Sequence, residues 1–194
     1  GTCDAILQAW YGGESGGQAV ADVLFGDYNP SGKLPVTFYK SSDQLKDFED
    51  YSMAGRTYRY MEDALFPFGY GLSYTEFRIG QAELSTSGIS SGETVQISIP
   101  VTNTGNRKGT EIVQVYVKKV NNTEDAPVKT LKGFQRVEID AGKTKRVTID
   151  LPPSSFEFYD ANQRKMAITP GKYEIYYGNS SDVRDLKNEA VTIN

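Results

Sequence analysis

Gly13-Glu14-Ser15-Gly16-Gly17 has the G-x-S-x-G spacing of a nucleophile elbow, the sharp turn that presents a serine hydroxyl between a strand and a helix. A serine becomes a nucleophile only with a base in hydrogen-bond reach, and the chain contains no histidine. Triad-type acyl transfer is therefore excluded. The glycines read instead as a tight turn into a helix, with Glu14 or Ser15 near the helix N-terminus, where an acceptor or a carboxylate is favoured. Acid/base work by paired carboxylates is the next chemistry to weigh. Asp4, Glu14, Asp22 and Asp27 are available, but their abundance selects no pair. With no histidine and a single cysteine, transition-metal sites of the N/S type are excluded. EF-hand, G-x-G-x-x-G and P-loop lysine patterns do not occur, so neither a calcium loop nor a phosphate cradle is indicated.

The 194 residues, 38% hydrophobic and 24% charged, suffice for one or two domains with real cores and are not compositionally disordered. A net charge of -4 with both signs interspersed argues against nucleic acid, which needs a concentrated basic surface. No run approaches the roughly 18 apolar residues of a membrane span, and no basic-then-apolar leader opens the chain. A lone Cys3 closes no internal disulfide and reads as a small buried apolar residue.

The elements that must position these residues fall into two regimes. Ala5-Ile6-Leu7-Gln8-Ala9-Trp10-Tyr11 is a nearly continuous apolar run, which predicts a parallel strand covered on both faces. Ala19, Val20, Val23 and Leu24 then recur at helical spacing until Gly26, giving a βα unit. Asn29-Pro30-Ser31-Gly32 is a turn, and Leu34, Val36 and Phe38 alternate as a short strand that Pro35 places at an edge. Residues 41–76 have no clean period and many aromatics, which predicts an ordered connecting segment packed on something else.

Beyond that point the period is two. Val95, Ile97, Ile99 and Val101 alternate with polar residues, as do Val113, Val115 and Val117, then Val147, Ile149 and Leu151, then Tyr173, Ile175 and Tyr177. Ser90-Ser91-Gly92, Asn103-Thr104-Gly105-Asn106, Asp140-Ala141-Gly142 and Pro170-Gly171 supply turns between them. Short alternating strands with no helical stretch between them predict an antiparallel β-sandwich.

Two motifs carry a family resemblance. Gly26-Asp27-Tyr28-Asn29-Pro30-Ser31-Gly32-Lys33-Leu34-Pro35-Val36-Thr37 and Pro67-Phe68-Gly69-Tyr70-Gly71-Leu72-Ser73-Tyr74-Thr75 closely resemble the C-terminal third of family-three glycoside hydrolases, the β-glucosidases and β-xylosidases. The resemblance spans roughly residues 4–178. It implies a mainly β chain: a fibronectin type III-like (immunoglobulin-like) antiparallel β-sandwich preceded by a partial α/β segment. Residues 1–40 would be the tail of the family's second α/β domain, 41–77 an aromatic-rich linker, and 78–194 the sandwich, with Leu131–Val137 and Phe156–Asp160 similar to its recurrent strands.

In that family hydrolysis with retention uses two carboxyl groups about 5 Å apart. The nucleophile lies on a barrel domain, and the acid/base glutamate on a loop that precedes Asp4, so the resemblance implies no catalytic residue in this chain. It implies no cofactor and no metal. The partners it implies are the upstream barrel and α/β domains and, in the intact enzyme, a β-linked xylo- or gluco-oligosaccharide. Glu14, Arg56 and Arg59 are the residues it brings near substrate. Gly55-Arg56-Thr57-Tyr58-Arg59-Tyr60 looks more like the β-xylosidase and arabinosidase-type branch than like the commonest β-glucosidases. Read without the family, the same arginines pin an irregular segment against carbonyls. The intact enzyme would be periplasmic or secreted, a location that this chain does not itself encode.

Thirteen tyrosines, nine phenylalanines and one tryptophan support an alternative, a stand-alone carbohydrate-binding or adhesion sandwich. That reading needs two or three coplanar exposed rings on the sandwich, whereas rings gathered in 41–76 favour a structural accessory. The apolar N-terminal strand, lacking neighbours, is expected either to pack on the sandwich or to pair with a second copy as a homodimer.

Overall fold

The computed structural model describes residues 3–90, 92–122 and 126–194; Ser91 of the expected turn and the first two residues of the N-terminal unit lie outside these. The sandwich forms as its alternation requires. Its first sheet is centred on β4 (Val95–Asn103), which pairs antiparallel with β7 (Thr144–Leu151) on one side. On the other side β4 pairs successively with β1 (Phe77–Ile79) and β2 (Glu83–Leu84). The second sheet runs β3 (Gly88–Ile89), β11 (Lys187–Ile193), β10 (Gly171–Gly178), β5 (Gly109–Lys119), β6 (Thr130–Ile139), all antiparallel except β3 against β11. A separate hairpin of β8 (Phe158–Asp160) and β9 (Lys165–Ala167) contributes Phe158 to the core.

Because side chains alternate across a strand, Val95, Ile97, Ile99 and Val101 face Val113, Val115, Val117, Tyr173, Ile175 and Tyr177 in one core. Buried polar side chains of the sandwich find partners. The Tyr177 hydroxyl accepts from the Ala82 N–H (3.0 Å), and the Asn103 amide donates to the carbonyls of Arg107 (2.8 Å) and Ile139 (2.9 Å).

The N-terminal region departs from expectation in three places. The helix forms as α1 (Gly16–Phe25) and stops at Gly26, whose φ of 84° is left-handed. The strand expected over Ala5–Tyr11 does not form: a parallel strand needs neighbours for its N–H and C=O groups, and none lies alongside among the described residues. Trp10, at φ 53°, breaks the extension outright. The strand expected over Leu34–Phe38 reduces to one bridge, Phe38 with Phe66. Cys3, expected to be buried, is exposed.

Candidate functional site

Glu14 sits exposed in the turn that opens α1. The turn is closed by backbone, Gly16 N–H to Gly13 O and Ala19 N–H to Ser15 O, both 3.0 Å. Ser15 occupies the N-cap position but makes no side-chain cap bond, and no acidic residue lies in the first turn, so the expected cap is absent. With no strand ahead of it, the turn also lacks the context of a nucleophile elbow. Between this turn, the 7–9 stretch and α1 lies an open hollow of about 850 Å³ lined by Leu7, Ala9, Ala19, Val20 and Val23.

Arg56 behaves as a pin. Its Nε donates to Ser52 O (3.0 Å) and its Nη2 to Asp50 O, while Lys46 Nζ reaches Asp50 Oδ2 (3.1 Å) and Ser52 Oγ (2.7 Å). Hydrogen bonds from Ser52, then the Lys46 ammonium, hold the Asp50 carboxyl down at about 2. This network shapes a hollow of about 460 Å³ lined by Tyr39, Leu45, Phe48, Tyr51, Met53 and Arg56, with the rings of Phe48 and Tyr51 turned to solvent.

Arg59, beyond Arg56 in the short helix α2 (Thr57–Tyr60), has different partners. Its guanidinium lies 5.6 Å from the Tyr60 ring centroid, its carbonyl accepts from Val128 N–H (2.7 Å), and its Nε is buried without a hydrogen bond. Burial first, and then Arg59, pushes the neighbouring Lys132 ammonium below the ordinary lysine range. Among the described residues no hydrogen bond or ion pair joins Glu14 to either arginine. The fold thus places the three in separate surroundings.

A polar site that sequence reading did not single out lies where the two motif segments meet the sandwich. Tyr58 stacks on Phe68 (4.3 Å between centroids), meets Tyr116 edge-on (5.8 Å), and its hydroxyl accepts from Leu131 N–H (3.1 Å). Gln114 donates to Gly69 O (3.0 Å) and Asn179 O (2.9 Å) and accepts from the Tyr116 hydroxyl (2.5 Å). Burial pushes the Tyr116 phenol far above the usual tyrosine value, so it remains a donor. Gly69 has φ 78°, and a Cβ there would fall 2.0 Å from Gln114 Oε1, which makes glycine the residue this contact demands. Lys33 Nζ bonds both Glu111 Oε1 and Gly71 O at 2.8 Å, with Lys33 and Glu111 nearly buried. The two motifs also hold each other, Leu34 N–H to Tyr70 O (2.8 Å) and Gly69 N–H to Leu34 O (2.7 Å). The only advance signal was polar residues, Glu111 and Gln114, inside a strongly alternating strand.

The fold is a two-sheet β-sandwich held through two glycine-rich motifs to an N-terminal segment that carries one helix. The glycosyl hydrolase family 3 C-terminal domain profile matches residues 1–74, and the fibronectin type III-like domain profile matches residues 111–181. The xylan 1,4-β-xylosidase of Xylanibacter ruminicola is 55% identical over 99% of this chain and 22% of its own length. The periplasmic β-glucosidase of Salmonella typhimurium is 40% identical over 90% of this chain and 24% of its own. Among solved structures, the β-glucosidase of Kluyveromyces marxianus in complex with glucose is 35% identical at a TM-score of 0.81, covering 95% of this chain and 24% of that one. The chain belongs to glycoside hydrolase family 3 and corresponds to its C-terminal portion. It spans about a quarter of the length of these relatives.

Proposed function

We propose that this chain is the non-catalytic C-terminal portion of an exo-acting, retaining β-glycosidase whose intact form releases terminal β-D-xylosyl or β-D-glucosyl residues through a covalent intermediate. The near-complete alignment of the chain with a β-xylosidase at 55% identity carries this reading and favours xylosides. Residues 1–40, 41–77 and 78–194 divide the work: a tail of the α/β domain, a linker that packs on the sandwich, and the sandwich itself. Arg56, at the 460 Å³ hollow, and Glu14, in the exposed turn, are the substrate-proximal residues of the intact enzyme; Arg59, held among Tyr60 and Val128, contributes by fixing the linker. The apolar hollow beside α1 receives the upstream domains there, and a second copy covers it when the chain stands alone. A periplasmic or secreted location accords with the periplasmic relative.

Aryl β-xylosides and β-glucosides separate the outcomes. The chain alone should leave them at the uncatalysed rate, and the intact enzyme should cleave the xyloside faster. Turnover by the chain that vanishes when one of its own Asp or Glu residues is changed overturns the reading. Sedimentation showing a monomer at high concentration overturns the second-copy cover.

A stand-alone carbohydrate-binding module fits less well. Among the described residues the sandwich exposes Phe134 on β6 and Tyr159 on β8, in different sheets, while other aromatics gather between Tyr39 and Tyr74.

A further inference from the structure

Helix α1 has ten residues and buries none of them. A helix this short is marginal in water, and in proteins it is ordinarily held by packing an apolar face. Here the hold is polar and sits at one end. The Tyr74 hydroxyl donates to Val23 O (2.7 Å), and the Arg107 guanidinium donates to Gly26 O (3.0 Å), carbonyls at the end of the helix. The Arg107 charge also faces the negative end of the helix dipole and lies 5.6 Å from the Tyr74 ring centroid. Asn29, just past the helix, donates to Lys108 O (3.1 Å) and accepts from Ser73 Oγ (2.9 Å) and Tyr74 N–H (2.8 Å).

Arg107 and Lys108 belong to the turn between β4 and β5, and that turn is tied to the core by hydrogen bonds of its own. Asn103, fully buried, donates to Arg107 O (2.8 Å) and accepts from Gly105 N–H (3.1 Å) and from the Thr75 hydroxyl (2.7 Å). An unbroken line of hydrogen bonds therefore runs from the sandwich core to α1.

We propose that the β4–β5 turn is a clamp that fixes α1, with Asn29, Tyr74 and Arg107 as positioning residues for the helix and for the Glu14 turn at its far end. The sandwich then sets how the Glu14 turn is presented to the upstream domains. That consequence rests on the function proposed above; the clamp itself is a property of this chain.

Segment-resolved hydrogen exchange on the 194-residue chain tests it, comparing the unaltered protein with Tyr74→Phe, Arg107→Met and Arg107→Lys. Losing one hydrogen bond at the clamp should speed exchange in α1 about tenfold while leaving β4, β5 and β10 unchanged. Arg107→Lys, which keeps the charge, should restore part of the protection. The clamp is refuted if α1 already exchanges as unstructured chain in the unaltered protein, if the variants leave its rates alone, or if the strands accelerate equally. A clamp that passes in a chain whose intact parent cleaves neither β-xylosides nor β-glucosides would sink the proposed function and leave the clamp standing.

Discussion

Ile6, Leu7 and Trp10 are as apolar as Ile97, Ile99 and Val101, yet the first three are 69%, 43% and 51% exposed and the last three are fully buried. Composition does not separate the two regions; the supply of partners does. Strand β4 finds β7 on one side and β1 and β2 on the other, so its backbone is paired and its inner face meets the second sheet. The 5–11 stretch has no strand beside it among the described residues, and apolarity alone does not make a sheet.

Truncation tests that contrast most strongly. Ile99→Ala should cost about 4 kcal/mol, the range for cavity-forming core changes, whereas Ile6→Ala should stay within about 0.5 kcal/mol. Equal losses in chemical denaturation would show that the N-terminal stretch is packed in solution.

The joint between the regions comes next. Lys33→Met leaves the Glu111 carboxylate buried with only Ile112 N–H (2.8 Å) and the Asn179 amide (3.3 Å), and should cost about 3 kcal/mol. Adding Glu111→Leu should recover most of the loss; a double variant no better than the single would mean that the ion pair is not the cause. Gly69→Ala puts a methyl into the Gln114 amide at positive φ and should lower stability by about 2 kcal/mol in the same measurement.

The smallest effect is a pH response confined to the surroundings of Asp50. Asp50 titrates at about 2 in the folded chain against an ordinary 3.8, so its contribution is present above pH 4 and is lost as pH falls toward 2. Tyrosine fluorescence or exchange at residues 46–56 should loosen across that window, and Asp50→Asn should abolish the change. A pH response that persists in Asp50→Asn would point to another group.

Alternation of period two was enough to place β4, β5, β7 and β10 with the right residues facing the core, because a pleated strand sends every second side chain to one face whatever surrounds it. The helical spacing that ends at Gly26 and the two glycine-rich motifs were equally legible, and the motifs carried the family. Alternation could not say what covers the opposite face. Gln114 and Tyr116 fall between the core-facing valines of β5, and the connecting segment buries both, because Tyr58, Phe68 and Gly69 arrive from some fifty residues away in the chain. The strand over Ala5–Tyr11 failed for the converse reason: its pattern was right for a covered strand, and the cover is not among the described residues. Periodicity is a local property of a chain. Partners, ion pairs such as Lys33 with Glu111, and the hold on α1 are decided by which distant segments meet, and tertiary structure alone fixes that.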